Sequence, residues 1–318
     1  MKKYLEDLKQ ELMKRNMSSD EIDEILRDHE EMIESALAKG IDEEALKTQF
    51  GDPKKLADDL VGTENTEETI KTEVKDYEVY KSFDPSGESI SVFVKLVSED
   101  VVYQPSSNEK INVLYKGTKN LDDYEIKYEN SELIIEAPKQ VGFFFMRTSS
   151  SDASLIVEVP KTLDFIQLRH KSVSSDVKVK DLNVKSFELS STSGDIEVEG
   201  AKFGQTKWNT VSGDIQVKNA VIDILNSSQV SGDLALHQVK FTGDIKLNTV
   251  SGDVDAEDTT CETCDYSSVS GDLKGREFYP KAVMLKSVSG DIKISNKEVT
   301  DIKVIRKSSV SGKISIKD

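Results

Sequence analysis

Polar and apolar positions follow two different periods along the 318-residue chain. Up to about residue 62 apolar residues recur at helical spacing. Leu5, Leu8, Leu12 and Met13 make one stripe, and Ser18 with Glu21 forms a capping box ahead of Ile22, Ile25, Leu26, Met32, Ile33, Ala36 and Leu37. Gly40 stops that helix, Asp42 caps a short one carrying Ala45, Leu46 and Phe50, and Asp52-Pro53 opens a fourth holding Leu56, Ala57 and Leu60. Residues 1–62 are thus expected to form a small all-α bundle. From Tyr77 the period is two. Ile90, Val92 and Val94 alternate with Ser91, Phe93 and Lys95, and short strands are predicted at Val101–Tyr103, Ile111–Tyr115, Tyr124–Tyr128 and Leu133–Glu136.

In the second half one phrase returns: TSGDIEV at Gly194, VSGDIQV at Gly213, VSGDLAL at Gly232, VSGDVDA at Gly252, VSGDLKG at Gly271, VSGDIKI at Gly290 and VSGKISI at Gly312. The glycines are 19, 19, 20, 19, 19 and 22 residues apart, and VSSDVKV at Ser175 lies 19 before the first. Eight copies in phase predict a β-solenoid of about 19-residue coils stacked at the ~4.8 Å spacing of paired strands. The architecture expected is mainly β, a single-stranded β-helix after a small helical bundle. Residues 63–76, polar and acidic, read as a linker, 77–172 as irregular first coils lacking the phrase and capping the rod, and 173–318 as the regular coils.

With the glycine at position zero, plus two (Val177, Ile196, Ile215, Leu234, Val254, Leu273, Ile292, Ile314) and plus four (Val179, Val198, Val217, Leu236, Ala256, Gly275, Ile294, Ile316) are expected inside. Minus seven and minus five (Phe187 and Leu189, Thr206 and Trp208, Ile245 and Leu247, Cys264 and Tyr266, Val283 and Leu285) form a second inward pair. The valine at minus two is expected to join this core in all copies but one, where Thr192 stands instead. Plus one is a column of outward carboxylates, Asp176, Asp195, Asp214, Asp233, Asp253, Asp272 and Asp291, broken by Lys313. Unit charges ~4.8 Å apart repel by roughly 1 kcal/mol in water and about 3 to 4 at an effective dielectric of 20, so something must offset the column. Two answers stand. Each Asp hydrogen-bonds turn amides, or the column gathers cations, either Ca²⁺ or cationic peptides.

The net charge of −17 excludes nucleic acid and anionic membrane surfaces as natural partners. Cys261 and Cys264 form a lone CxxC with no further zinc ligands, and Cys264 falls in an inward column. His29, His170 and His237 are scattered, and no nucleophile, P-loop or metalloprotease spacing occurs. Neither catalytic residues nor a cofactor are expected. Val141-Gly142-Phe143-Phe144-Phe145-Met146, the most apolar stretch, reads as a buried turn or cap, with a partner or membrane contact as the alternative. Lacking a signal-peptide pattern and an 18-residue apolar run, the chain is expected to be cytoplasmic, with cell-surface association as the alternative.

Two resemblances add to this reading. Ile25-Leu26-Arg27-Asp28-His29-Glu30-Glu31 followed by Phe50-Gly51-Asp52-Pro53 and Leu56-Ala57 resembles the bacterial HAAS domain, which implies a helical bundle serving membrane or signalling proteins. The eight Ser-Gly-Asp phrases, with the strand Leu155–Pro160, resemble the bacterial putative-adhesin family of β-solenoids, which implies adhesion or cell-envelope work and brings no established catalytic residues. Together these readings imply a non-enzymatic interaction scaffold whose bundle docks another protein and whose solenoid takes a cationic peptide or envelope component. The alternatives are a polysaccharide-active β-helix enzyme and a sensor of Ca²⁺ or cationic peptides.

Overall fold

The structure is a computed structural model and describes residues 2–14, 22, 26, 53–54, 76–138, 153–299 and 301–317. Two compact units divide the chain, Met1–Glu73 and Val74–Asp318. In the first, a helix spans Lys2–Lys14 and buries Tyr4, Leu8 and Leu12, four residues apart on one face. Met13, expected on that stripe, is instead exposed because it lies a quarter-turn away from Leu12. The remaining helices expected before residue 62, most of the linker and the Val141–Met146 segment lie outside the described residues.

The second unit is a β-solenoid of about eight turns. A regular coil runs from a long strand such as Asn183–Ser191, through the phrase corner, into a short strand such as Ile196–Glu199. Corresponding strands pair in parallel with residue-for-residue register, Ile196 on Ile215 and Val198 on Val217, then Ile215 on Leu234 and Val217 on Leu236. Identical columns therefore stack. The plus-two and plus-four columns are buried from Val177 to Ile294, as are Phe187, Leu189, Trp208, Cys264, Tyr266, Val283 and Leu285. Within the long strand the inward phase slips by one residue, between Val184 and Phe187 and again between Phe203 and Thr206, so the strand bends. A second corner after each short strand uses left-handed backbone at Asp181, Gly200, Asn219, Gln238, Asp258 and Glu277, four of the six being the Gly, Asn and Asp that tolerate it best.

The valine at minus two does not join the core. Val173, Val211, Val230, Val250, Val269 and Val288 are 41–51% exposed, and Val310 is 81% exposed. Minus three takes the inward place instead, with Ser191, Thr210, Gln229, Thr249, Ser268 and Ser287 buried. Alternation holds along a strand, but four residues of corner separate minus three from plus two, so parity does not carry across.

Residues 77–138 and 153–159 seal one end of the rod, and their order in space is not their order in sequence. The coil Ser89–Pro105 lies directly against the coil Asp164–Lys180, with Val101 on Val177 and Val92 on Leu168. Strands Glu132–Glu136 and Ser154–Val159 pack on its other side. Beyond them, Ile111–Lys116, Glu78–Phe83 and Glu125–Glu129 pair antiparallel and close the stack. A switch to antiparallel pairing stops coil addition, which an open parallel edge would invite.

Candidate interaction surface

The phrase residues make a clamp between coils. Each phrase serine donates its backbone N–H to the carbonyl of the minus-two residue in the coil before it, Ser193 to Val173, Ser212 to Thr192, Ser231 to Val211 and on to Ser311 with Val288, at 2.7–2.9 Å. Its hydroxyl points at the same carbonyl at 3.2–3.4 Å. The glycines stack with no room between them. A Cβ on Gly213, Gly232, Gly252, Gly271, Gly290 or Gly312 would stand 2.0–2.3 Å from the carbonyl oxygen of the preceding glycine.

The aspartates form a ladder. The backbone N–H of each donates to Oδ1 of the aspartate one coil earlier, Asp195 to Asp176, Asp214 to Asp195, Asp233 to Asp214, Asp253 to Asp233, Asp272 to Asp253 and Asp291 to Asp272, at 2.7–2.8 Å. Lys313 N–H closes it on Asp291. Charge-assisted bonds of this kind offset the mutual repulsion of the column. They also answer the amide question raised by the sequence in a particular way, since the amide belongs to the neighbouring coil rather than to the aspartate's own turn. Oδ2 is left facing outward, and on Asp253 it meets Lys274 Nζ at 3.4 Å. Among the described residues no group of three or more His, Cys, Asp or Glu is placed to hold a metal ion.

The ladder starts one coil earlier than the sequence reading recognised. Asp176 N–H donates to Asp100 Oδ1 at 2.9 Å, and Ser174 N–H to Val97 O at 2.8 Å. Val97-Ser98-Glu99-Asp100 is therefore a ninth copy with glutamate at the glycine position, legible in hindsight from Val-Ser-x-Asp before Val101 and Tyr103. The Glu99 side chain is fully buried. Burial would push its carboxyl up, but the Lys119 ammonium, the Tyr124 hydroxyl and the Val97 N–H bind the charged form and hold it down at about 2.

Of the other candidate groups, both cysteines and His170 are core. Cys261 and Cys264 are free, buried thiols, and burial pushes Cys261 up to about 12 and Cys264 upward as well. Buried thiols shifted upward in this way are poor nucleophiles. His170 is buried against Tyr103, whose hydroxyl lies 2.8 Å from Nδ1, and burial lowers its pKa to about 3. His237 sits at the surface, 3.4 Å from Glu257. No helix of the described residues is long and apolar enough to cross a membrane.

What remains outward at the phrase corner is a double rail, exposed valines at minus two, interrupted by Thr192, and aspartate Oδ2 atoms at plus one, ending at Lys313. It offers apolar contact and negative charge in a straight line, and no acid–base pair.

Comparison with known proteins follows the same lines. The Toastrack DUF4097 model matches residues 88–223 and again 207–318, and the HAAS model matches residues 3–59. No match was found among curated proteins. Of solved structures, the "Putative lipid binding protein" of Parabacteroides distasonis is 19% identical, with a TM-score of 0.54 over 76% of this chain and 96% of that one. A "putative adhesin" of Bacteroides fragilis is 16% identical, with a TM-score of 0.45 over 74% and 94% of the two chains. Another from Parabacteroides distasonis is 13% identical, at 0.48 over 74% and 96%. The repeated phrase, the stacked coils it clamps and a family match running from residue 88 to residue 318 agree: the chain belongs to the Toastrack DUF4097 family.

Proposed function

We propose that the solenoid is a non-enzymatic interaction scaffold that binds its partner along the phrase corner, in adhesion or cell-envelope signalling, while the HAAS unit docks another protein. The observation that carries this reading is the valine column, 41–51% exposed at Val173 and, beyond Thr192, from Val211 to Val288, on coils whose other phrase residues are engaged in stacking. Monomeric proteins rarely leave so long an apolar line in water without a use for it. The aspartate column beside it selects partners with cationic groups. Catalysis is disfavoured by the same geometry, because each of these aspartates already spends Oδ1 on the amide of a neighbouring coil.

A cationic amphipathic peptide serves as the probe. Binding to the full chain is expected to weaken as salt rises from about 20 to about 500 mM, where screening shortens to a few ångströms. It is also expected to weaken in Val211→Ser/Val230→Ser and in Asp214→Asn/Asp233→Asn. Binding unchanged in both double variants would rule out the corner as the site, and cleavage of an acidic polysaccharide panel would replace the scaffold by an enzyme.

A further inference from the structure

The valine column of the phrase corner runs unbroken over five coils, Val211, Val230, Val250, Val269 and Val288, each 41–47% exposed. Its two borders differ. Along each coil the valine stands between an outward residue at minus four and the aspartate at plus one. Minus four is neutral and polar, Asn209, Ser228, Asn248 and Ser267, until Lys286, whereas plus one is the line of carboxylates from Asp214 to Asp291. Negative charge therefore borders the apolar line on one side only.

The main chain of this corner is already engaged. Serine N–H groups bond the valine carbonyls of the preceding coil, Ser231 to Val211 and Ser270 to Val250, and aspartate N–H groups bond aspartate Oδ1. Aspartate carbonyls accept from the coil before, Asp233 from Ile215 and Asp253 from Leu234. A strand docks through main-chain hydrogen bonds, and these groups offer it none. A helix arrives with its own backbone bonds made. Spacing agrees. Consecutive coils set the valines ~4.8 Å apart, close to the ~5.4 Å of a helical turn, while side chains on one face of a strand recur only every ~6.6–6.8 Å. From Val211 to Val288 the line covers roughly 19 Å, the length of about 13 helical residues.

We infer that the partner of the phrase corner is an amphipathic α-helix lying along the valine line, with its apolar stripe on Val211 to Val288 and lysines or arginines on the flank that faces the aspartates. This deepens the scaffold reading of the corner and rests on it. The valines supply burial, and the outward Oδ2 atoms select a basic flank. Because only one border is charged, the position of that flank fixes which way the helix points. Thr192 ends the line, standing where the other copies of the phrase carry valine.

The test titrates the full chain with two blocked peptides of one composition, leucine, lysine and glutamine. One sets its leucines at helical spacing with the lysines along one flank, and the other alternates leucine with polar residues. Calorimetry reads affinity, and difference circular dichroism reads the conformation of the bound peptide. The helix-patterned peptide is expected to bind about tenfold or more tightly than its counterpart, to gain helical signal on binding, and to lose roughly tenfold in Val211→Ser/Val230→Ser. Thr192→Val joins Val173 to the line and is expected to strengthen binding of a version two turns longer. Equal affinity of the two patterns, no binding of the helix-patterned peptide, or binding without gain of helix overturns the helical partner, and none of these bears on the valine and aspartate variants that judge the corner itself. Binding of both peptides that is unchanged in the valine double variant removes the corner as a site, and the scaffold reading of it falls together with this inference.

Discussion

Replacing Gly232 by alanine tests the clamp directly. Its φ lies outside the left-handed region, so the backbone accepts alanine, and the cost comes from the neighbouring coil alone. The new methyl would stand 2.0 Å from Gly213 O and 2.7 Å from Gly213 C. Ordinary contact requires well over 3 Å, so the corner must open by about 1.2 Å or more. That displacement carries Ser231 N–H to Val211 O, now 2.9 Å, and Asp233 N–H to Asp214 Oδ1, now 2.8 Å, beyond hydrogen-bonding range. At about 1 kcal/mol for the neutral bond and 1.5 to 3 for the charge-assisted one, the loss is roughly 2.5 to 4 kcal/mol before any core layer loosens. Gly87→Ala is the control, since its nearest new contact is Ser131 Oγ at 3.4 Å. Urea unfolding of both variants, with hydrogen exchange at residues 211–214 and 231–234, gives the readout. Gly232→Ala within about 1 kcal/mol of the parent, or no different from Gly87→Ala, would show that the coils are not held at this spacing by the glycine column.

Three further outcomes follow from the same geometry. Asp233→Asn keeps an acceptor for Asp253 N–H and removes two repulsions of at most about 1 kcal/mol each at this exposed edge, so it should be neutral or stabilising at low salt, whereas Asp233→Ala should cost about 1 to 2 kcal/mol; equal losses for both in thermal melts would contradict the ladder. His170 stays neutral in the fold down to about 3 while the unfolded chain takes a proton near 6.5, so stability should fall as pH drops below 6.5, by about 2 kcal/mol at pH 5, with Glu99 adding its own loss only below about 4.5. Denaturant titrations between pH 7 and 5 should show that slope in the parent and lose it in His170→Gln. Cys261 and Cys264 should resist a thiol reagent in the native protein and react only on unfolding; fast native reaction would place them outside the core.

Much of the fold was legible before any coordinates because a solenoid writes its geometry into a local period. One glycine-anchored phrase every 19 or 20 residues places plus two and plus four on one face, and stacking then buries those columns from Val177 to Ile294. Trp208 and Cys264 could be assigned to the core by counting alone. The ninth phrase escaped because Glu99 replaces the glycine, and nothing local reveals that Lys119 and Tyr124 come from elsewhere to neutralise it.

The features that matter for binding were settled by contacts between coils. Counting places Val211 and its counterparts inside, yet the four-residue corner resets the alternation and turns them out, while the buried serines and threonines at minus three take their place. Sequence alone also could not say whether the aspartate column was a liability or a strut, since its acceptors serve amides about 19 residues distant along the chain. Nor could it show that Ser89–Pro105 lies against Asp164–Lys180, because pairing partners in a sheet are chosen by register and burial, not by proximity along the chain. The period of apolar residues determined that the second unit is a solenoid; the stacking of one coil on the next decided which of its residues face the water.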